Sequence, residues 1–262
     1  MTIITLTTDF GTGDHEAGVL KGVIWRIAPH VQIADLSHDI TPHNILQAAL
    51  LLWRATPYFP VGTIHMAVID PGVGTSRRGI AAHLGSQYFV GPDNGLLSLL
   101  LARAEANNEN LSIVHLDQPK YWLPEVSKVF HGRDIFAPIA AHLASGIPLS
   151  SLGTSIDDPV RIQFPVPTRT RKGWLGQVIH IDHFGNLSTN LNSSHLKPLK
   201  EVMIKIKGEQ IAGLVSTFGE RPAGTLVALL DSSATLAISV VNGSAAQVLN
   251  AGVGDEIEVL DA

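Results

Sequence analysis

The 262-residue chain contains no cysteine, which excludes disulfide bonds, thiolate metal sites and a cysteine nucleophile. It has no run of lysine or arginine, and its formal net charge is −5. A basic stripe is the usual mark of a nucleic-acid-binding surface, so we expect no nucleic-acid partner. No apolar run approaches the ~20 residues that a membrane-spanning helix needs, and no signal-peptide pattern is visible. We therefore expect a cytoplasmic protein without membrane association.

Several catalytic signatures are also absent. There is no G-x-x-x-x-G-K-[ST] loop, no G-x-S-x-G elbow and no H-E-x-x-H helix, which argues against P-loop nucleotide hydrolysis, α/β-hydrolase chemistry and zincin-type proteolysis. Asp14, Glu16, His38 and His43 are conceivable metal ligands, but their spacing matches no familiar metal site. We expect neither a metal nor a cofactor.

Hydrophobic residues make up 45% and charged residues 16% of the chain, as in ordinary globular proteins. Residues 1–163 alternate short apolar strand patterns with helical patterns, which predicts an α/β domain with a mainly parallel sheet and helices on both faces. The alternation of strand and helix patterns ends near residue 160. From residue 170 to 262 only short strand patterns separated by Gly and Asn remain, which predicts a smaller all-β domain.

Acidic residues follow or end several early strand patterns. They are Asp9, Asp35, Asp70 and the Asp in Asp93-Asn94-Gly95. Ligands of open α/β sheets bind at the carboxyl ends of the strands, so these side chains are candidates for one site. Turn chemistry is the alternative explanation for each one taken alone, because Asp caps and turns are common.

Two loops carry further candidates in the first domain. The loop from Asp70 to Arg78 combines two glycines, which allow close backbone approach to a ligand, with Arg77 and Arg78; a plain Gly-rich turn with solvated arginines is the alternative. His131 lies just before a predicted helix over 134–144, either as a site residue or as an ordinary loop residue. Asp134 is most simply a helix cap.

The second domain has one turn with unusual content. The segment from Asp182 to Asn186 combines a carboxylate, the aromatic Phe184 and an amide. An aromatic face and polar groups suit a nucleoside, and Phe218 offers a second face. Ser232 and Asn242 add hydrogen-bonding groups in turns.

One partial match favours a different class. The segment Asp9-Phe10-Gly11-Thr12-Gly13 after the first strand, with Asp35 further on, is similar to the S-adenosylmethionine loop of Rossmann methyltransferases. The pattern departs from that class at His15, where a third glycine is wanted, and the second domain fits that class poorly. A methyltransferase remains an alternative.

Taken in order, six motifs resemble the S-adenosylmethionine hydrolases (adenosine-forming), which are relatives of the fluorinases and chlorinases. The resemblance spans nearly the whole chain. The motifs are Thr8-Asp9-Phe10-Gly11 with Asp14, Thr41-Pro42, Asp70-Pro71-Gly72-Val73-Gly74, Gly91-Pro92-Asp93-Asn94-Gly95, Phe130-His131-Gly132-Arg133-Asp134 and Asp182-His183-Phe184-Gly185-Asn186.

The resemblance implies a barrel-like second domain and a homotrimer, with the substrate held between the first domain of one subunit and the second domain of its neighbour. It assigns water handling to Asp70, Arg77 and His131. The implied substrate contacts, to which we add Asn94 and Asn242, are Asp9 at the ribose, Asp14, Asp182, Phe184, Asn186, Phe218 and Ser232. His43 and Glu16 depart from the residues of the halogenating relatives, which leaves their roles open.

The implied reaction converts S-adenosylmethionine to adenosine and methionine by attack of water or hydroxide on the ribose C5′ carbon. The leaving group is a neutral thioether, so no general acid is needed. A carboxylate would repel a halide, whereas Asp70 and His131 offer acceptors for water and Arg77 holds the carboxylate. The proton acceptor stays open between a side chain and captured hydroxide. A halogenase and a non-catalytic adenosine-binding protein are the remaining alternatives.

Overall fold

The computed structural model describes residues 2–199 and 202–261. The chain divides into two compact units, Met1–Ile162 and Gln163–Ala262. Glu201, the first residue of a predicted strand, lies outside the described residues, and the strand itself is described from Val202.

The first unit is built around a seven-stranded mixed sheet. The strand order is β2-β1-β3-β5-β4-β6-β7. Neighbours among β2, β1, β3 and β5 pair in parallel, and β4, β6 and β7 add antiparallel pairings. Five strands, β6 included, therefore run in one direction. The elements are β1 (Ile3–Thr8), α1 (Glu16–Ile27), β2 (Gln32–Ser37), α2 (Ile45–Ala55), β3 (Ile64–Val68), β4 (Gly79–Leu84), β5 (Gln87–Pro92), α3 (Ser98–Ala106), β6 (Leu111–His115), α4 (Ala137–Ala144) and β7 (Thr154–Ile156).

Both faces of this sheet are covered, as expected for strands that read as continuous apolar runs. Along β3 and just beyond it, Met66 and Val68 belong to a core that includes α1 and α4 residues. Ala67 and Ile69 belong to a second core that includes α2 and α3 residues. This alternation is the two-residue period of a strand. The predicted α/β fold with helices on both faces is confirmed.

The second unit is an antiparallel, barrel-like sheet. Its strand order is β12-β11-β15-β9-β10-β14-β13, with β8 paired to β9. Beyond β12, Val215 N donates to Ala228 O of β13 (2.9 Å), which nearly closes the sheet on itself. The prediction of a smaller, barrel-like β domain is confirmed. The elements are β8 (Thr168–Thr170), β9 (Gly173–Ile181), β10 (Leu187–Asn192), α5 (Ser193–Leu196), β11 (Val202–Ile206), β12 (Glu209–Ala212), β13 (Leu226–Leu230), β14 (Thr235–Val240), α6 (Ala245–Val248) and β15 (Glu256–Asp261).

The helix predicted from Asp134 begins differently. Residues Gly132–Phe136 form a π-helical turn that runs directly into α4. Asp134 is buried there, and its carboxylate accepts from Ser127 N (2.8 Å) and Arg133 Nε (2.6 Å) instead of capping the helix. The helix-cap interpretation of Asp134 was therefore wrong. π-Turns recur at functional sites, and this one follows His131 directly.

The buried imidazole of His65 makes folding sensitive to acid. His65 is 1% exposed, and burial, aided by the charge of Arg103, lowers the pKa of His65 from 6.5 to about 4. Between pH 6.5 and about pH 4, the unfolded chain therefore binds a proton at His65 that the folded chain does not bind. Stability contributed at neutral pH is lost as the pH falls through that window, by about 3 kcal/mol in total.

We expect His65→Asn to flatten this dependence. The difference in unfolding free energy between pH 7 and pH 4.5 should shrink by about 2 kcal/mol in urea denaturation at fixed protein concentration. Exposed His30 supplies the matched control His30→Asn. Equal pH dependence in wild type and His65→Asn would contradict the assignment.

None of the helices in residues 2–199 and 202–261 is long and apolar enough to cross a membrane.

Candidate active site

A cavity of about 270 Å³ opens at the carboxyl ends of β1 and β3. Asp9 follows β1 directly, and Asp70 comes two residues after β3. Parallel neighbours end at the same edge of a sheet, so both carboxylates reach the same cavity, as the sequence predicted. The cavity is lined by Asp9, Phe10, Pro42, His43, Val68, Asp70, Val73, Val129, Phe130, His131 and Gly132.

Asp70, Arg77 and His131 form a hydrogen-bonded trio at this cavity. Arg77 Nε donates to Asp70 Oδ1 (2.8 Å), and Arg77 Nη2 donates to Asp70 Oδ2. The Asp70 side chain is only 5% exposed, so the two-pronged contact supplies the charge compensation that a buried carboxylate needs. The Arg77 guanidinium also lies 5.2 Å from the centre of the buried Phe136 ring. These contacts fix the position of the carboxylate.

The contact with Arg77 sets the tautomer of His131. Arg77 Nη2 lies 2.9 Å from His131 Nδ1, and a guanidinium only donates hydrogen bonds. His131 Nδ1 therefore accepts, and the neutral ring carries its hydrogen on Nε2. Desolvation, then the positive charge of Arg77, lowers the pKa of His131, which favours this neutral form. The expectation that His131 offers an acceptor to water is thus corrected: its remaining ring atom is a donor.

Asp9 is positioned by the loop before α2. His43 N donates to Asp9 Oδ2 (2.8 Å), and His43 has a positive φ of 66°. His43 thereby orients a carboxylate through its backbone and also lines the cavity. Beside Asp9, the rings of Phe10 and Phe130 meet edge to face at 5.8 Å.

Other predicted residues of the first unit lie away from the cavity lining. Asp14 is exposed just before α1, and Glu16 begins that helix. Asp35 pairs with Lys21 (2.5 Å), and Asp93 pairs with Arg78 (2.7 Å). Two of the four strand-end carboxylates thus pair with cations away from the cavity lining.

The structure gives Asn94, a predicted substrate contact, backbone partners. Asn94 Nδ2 donates to Ile69 O (2.8 Å), and Asn94 Oδ1 accepts from Leu96 N (3.3 Å).

Across residues 2–199 and 202–261, no three His, Asp or Glu side chains are grouped so as to hold a metal ion. His38, one conceivable ligand, instead contacts Thr8 and Asp35, through Nδ1 at 2.8 Å and Nε2 at 3.1 Å.

In the second unit, Asp182 organises the turn between β9 and β10. Its Oδ1 accepts from Phe184 N and Asn186 N (both 2.9 Å), and its Oδ2 accepts from Asn186 Nδ2 (2.7 Å). The Phe184 side chain projects outward and is 74% exposed. The turn therefore presents an aromatic face on a rigid base.

Phe218 and Asn242 lie at the same end of the barrel-like sheet as this turn. Antiparallel pairing sets the start of β10 and the start of β13 beside the end of β14. Phe218 precedes β13 and is partly exposed, while Asn242 follows β14. Ser232 lies in the turn between β13 and β14, at the opposite end of those strands. The structure therefore groups five of the six predicted contacts of this unit and separates Ser232 from them.

The apolar residues around the trio were not among the predicted site residues. Phe10 and Phe130 adjoin Asp9 and His131 in the chain, so their place beside predicted site residues was a usable signal. Phe136 supports Arg77 from the π-helical turn, and nothing in the local pattern marks that contact. Val129 lines the cavity while 76% exposed.

Fold and site together define a two-unit protein with a cavity at the carboxyl edge of a mixed sheet, lined by carboxylate, imidazole and aromatic side chains. The family model described as SAM hydroxide adenosyltransferase N-terminal domain matches residues 4–153, and the corresponding C-terminal domain model matches residues 176–258. The chain belongs to the SAM hydroxide adenosyltransferase family.

Curated relatives agree with this membership. A protein named (R)-S-adenosyl-L-methionine hydrolase from Salinispora tropica is 38% identical, over 98% of this chain and 97% of its own. One of the same name from Thermus thermophilus is 38% identical over 97% of each chain. A protein named Fluorinase from Actinoplanes sp. is 29% identical over 74% of this chain and 73% of its own.

Solved structures show the same architecture. An uncharacterized conserved protein from Thermotoga maritima matches with a TM-score of 0.88 at 37% identity, covering 98% of this chain and 99% of its own.

Proposed function

We propose that this chain hydrolyses S-adenosyl-L-methionine to adenosine and L-methionine, by in-line attack of water or hydroxide on the ribose C5′ carbon. The observation that carries the proposal is the Asp70–Arg77–His131 trio at the cavity, which pairs a fixed acceptor with a fixed donor. Relatives spanning nearly the whole chain and named (R)-S-adenosyl-L-methionine hydrolase support the substrate.

The trio is suited to orient one water molecule. Asp70 retains lone pairs beyond those used by Arg77 and accepts a hydrogen bond from the water. His131 Nε2–H donates to the water oxygen, leaving another lone pair free to attack C5′. As the new C–O bond forms, the C–S bond breaks and its electron pair leaves with methionine. The proton of the water passes to Asp70 or to solvent, or is already absent when hydroxide is the nucleophile.

The charge pattern of the reaction suits this cavity. The substrate carries a sulfonium cation and the site carries the Asp70 carboxylate. When hydroxide attacks, its negative charge and the positive charge of the sulfonium cancel. When water attacks and its proton passes to Asp70, the negative charge of the carboxylate is cancelled in the same way. Excluding bulk water therefore stabilises the transition state relative to the separated charges. We assign Asp9 to the ribose hydroxyls and the aromatic rings Phe184 and Phe218 to the adenine or methionine side.

Halide transfer is the second candidate, because proteins named Fluorinase are among the relatives. A halide at the position of the attacking water would place a second negative charge beside the carboxylate of Asp70, to which water can instead donate a hydrogen bond. Such an approach is repulsive. The trio therefore favours an oxygen nucleophile over a halide.

The test is incubation of the purified protein with S-adenosylmethionine, without halide and then with chloride or fluoride, followed by liquid chromatography. Adenosine and methionine in equal amounts under all conditions, with a chelator present, support cofactor-free hydrolysis. A 5′-halogenated nucleoside only with halide would instead identify a halogenase. S-adenosylhomocysteine would indicate a methyltransferase, and bound but intact substrate a binding protein.

The same assay resolves the stereochemistry of the substrate. The relatives' name specifies an R form beside L-methionine, so the R label refers to the sulfonium centre. We propose the same preference here. The two sulfonium epimers, assayed separately, should differ in kcat/KM.

We also propose that the chain is cytoplasmic and forms a homotrimer with sites shared between neighbouring subunits. The support is the outward-facing Phe184 and Phe218 of the second unit, which are large apolar groups left exposed in a single chain. Absence of cysteine suits a reducing compartment.

The tautomer of His131 predicts a particular pH dependence and a particular order of variants. Protonation would turn His131 Nδ1 into a donor facing Arg77, so activity should fall on the acid side, at a pH below 6.5 because the pKa of His131 is lowered. His131→Gln keeps a donor near the Nε2 position and should lose about 10-fold in kcat. His131→Asn does not reach that position and should lose about 10²-fold or more.

Both variants should lack the acid limb that His131 contributes to the pH profile of kcat/KM. Equal activity in the two variants, or an unchanged acid limb, would show that Nε2–H is not the group that holds the water.

A further inference from the structure

Two consecutive residues after β5, Asp93 and Asn94, contact the residues that flank the loop carrying the trio's carboxylate and guanidinium. We call residues 70–77 the nucleophile loop; Asp70 begins it and Arg77 ends it. On its upstream side, Asn94 Nδ2 donates to the carbonyl oxygen of Ile69 (2.8 Å). This bond holds the backbone one residue before Asp70.

The downstream side of the nucleophile loop is held by Asp93. The carboxylate of Asp93 is almost completely buried; its Oδ2 accepts from Arg78 Nε (2.9 Å) and lies 2.7 Å from Arg78 Nη2. Asp93 N also donates to Arg78 O (2.9 Å). Both the side chain and the backbone of the residue after Arg77 are therefore tied to Asp93.

The middle of the loop is confined as well. Gly74 has a φ of +76°, and a Cβ built there would lie 2.2 Å from the Lys128 carbonyl oxygen. A side chain at this position would collide with backbone. The loop therefore runs between fixed stems along a fixed surface, and Asp93 and Asn94 set where its two reacting ends lie.

We propose that Asp93 and Asn94 are positioning residues for hydrolysis, a role that rests on the proposed function. In this role they contact neither water nor substrate, and act by fixing the distance from Asp70 to Arg77 and hence to His131. Catalytic groups must be held within about 0.5 Å of the productive geometry, and a 1 Å displacement costs on the order of 10²-fold in rate. Releasing either stem should therefore lower kcat more than it changes substrate binding.

The experiment compares Asn94→Ala, the isosteric Asn94→Asp and Asp93→Asn with the matched control Asp158→Asn. Asp158 contacts the same Arg78 guanidinium through Nη1 (2.8 Å), but its side chain is 71% exposed and exposed ion pairs contribute little. Asn94→Asp keeps the shape of the side chain and places an oxygen where the donor to Ile69 was.

For Asn94→Ala, Asn94→Asp and Asp93→Asn we expect kcat to fall about 10- to 10²-fold with KM within about threefold of wild type. Asp158→Asn should match wild type. The folded fraction of each variant is measured by circular dichroism at the assay temperature, and its affinity for adenosine is measured by calorimetry. Unchanged adenosine affinity in folded, slow variants supports positioning.

Wild-type kcat in a folded Asn94→Asp variant would overturn the proposal, as would losses explained entirely by the unfolded fraction. Even if Asp93→Asn fails to fold, the two Asn94 variants decide the matter. A wild-type protein that makes no adenosine would instead refute the proposed function, a result separate from any difference among variants.

Discussion

Asp70→Asn is expected to lower kcat for adenosine formation by about 10³-fold or more, the size typical of losing both a proton acceptor and a preorganised charge. The amide has one oxygen instead of two, so it cannot accept from both Arg77 Nε and Arg77 Nη2 while also orienting water. Its NH2 group would face a donor of Arg77. The negative charge opposite the sulfonium is lost as well. The measurement is the initial rate of adenosine release by liquid chromatography.

The matched control is Asp35→Asn, which makes the same change near the carboxyl end of β2, a parallel strand of the same sheet. Asp35 pairs with Lys21 outside the cavity, so this variant should keep wild-type kcat. Substrate affinity of Asp70→Asn, measured by calorimetry, should change far less than kcat. Retention of more than a tenth of wild-type kcat in Asp70→Asn would remove Asp70 from the centre of the mechanism.

Mixed trimers of two inactive chains should regain about a third of wild-type activity. One chain carries Asp70→Asn and the other carries Phe184→Ala with Phe218→Ala, which removes the exposed aromatic faces of the second unit. Loss of stacking should lower the rate of the second chain at subsaturating substrate, and hence its kcat/KM, about 10²-fold. Each site is proposed to combine the first unit of one subunit with the second unit of its neighbour. In a closed ring of three, any mixture of the two chains contains one site whose two contributing units are both unmutated, so about one site in three works.

Coexpression with two affinity tags isolates the mixed trimers, and the readout is adenosine release per trimer. The two parents, purified alone and mixed without subunit exchange, give the background. Activity of the doubly tagged material no higher than the mean of its parents would contradict a site shared between subunits. A monomeric mass by light scattering would contradict the trimer itself.

The elements that the sequence predicted well are those with strong local patterns. Residues 63–69 form an apolar run typical of a buried strand, and β3 lies there with all five of its residues buried. Residues 15–28 have a helical pattern that ends before Pro29, and α1 lies there. Short polar strands escaped notice. β12 has a single buried residue, and β10 buries Ser188 and Thr189. Such strands form because pairing with neighbouring strands completes their backbone hydrogen bonds, β11 for β12 and both β9 and β14 for β10. The apolar pattern of the strand itself does not record this stabilisation.

The candidate site shows the same division. Asp9 and Asp70 could be located because parallel strands end at one edge of a sheet. Asp35 and Asp93 satisfied the same rule and yet do not line the cavity. They pair with Lys21 and Arg78, whereas the cation that pairs with Asp70 belongs to the trio. A strand-end position does not reveal which cation a carboxylate will meet. The two adjacent arginines differ for the same reason. Arg77 enters the trio, whereas Arg78 anchors the loop.

The sequence by itself determined the two-unit fold class, the family and the residue types of the site, because hydrophobic periodicity and ordered motifs are properties of the linear chain. Only the tertiary structure decided which groups act as donors and which as supports. The hydrogen on His131 Nε2 follows from a contact with Arg77, 54 residues away. The hydrogen bond from Asn94 to the Ile69 carbonyl joins residues that are 25 positions apart in the chain. Whether a group donates or accepts depends on the partner beside it in the folded chain. The residues adjacent in sequence do not identify that partner.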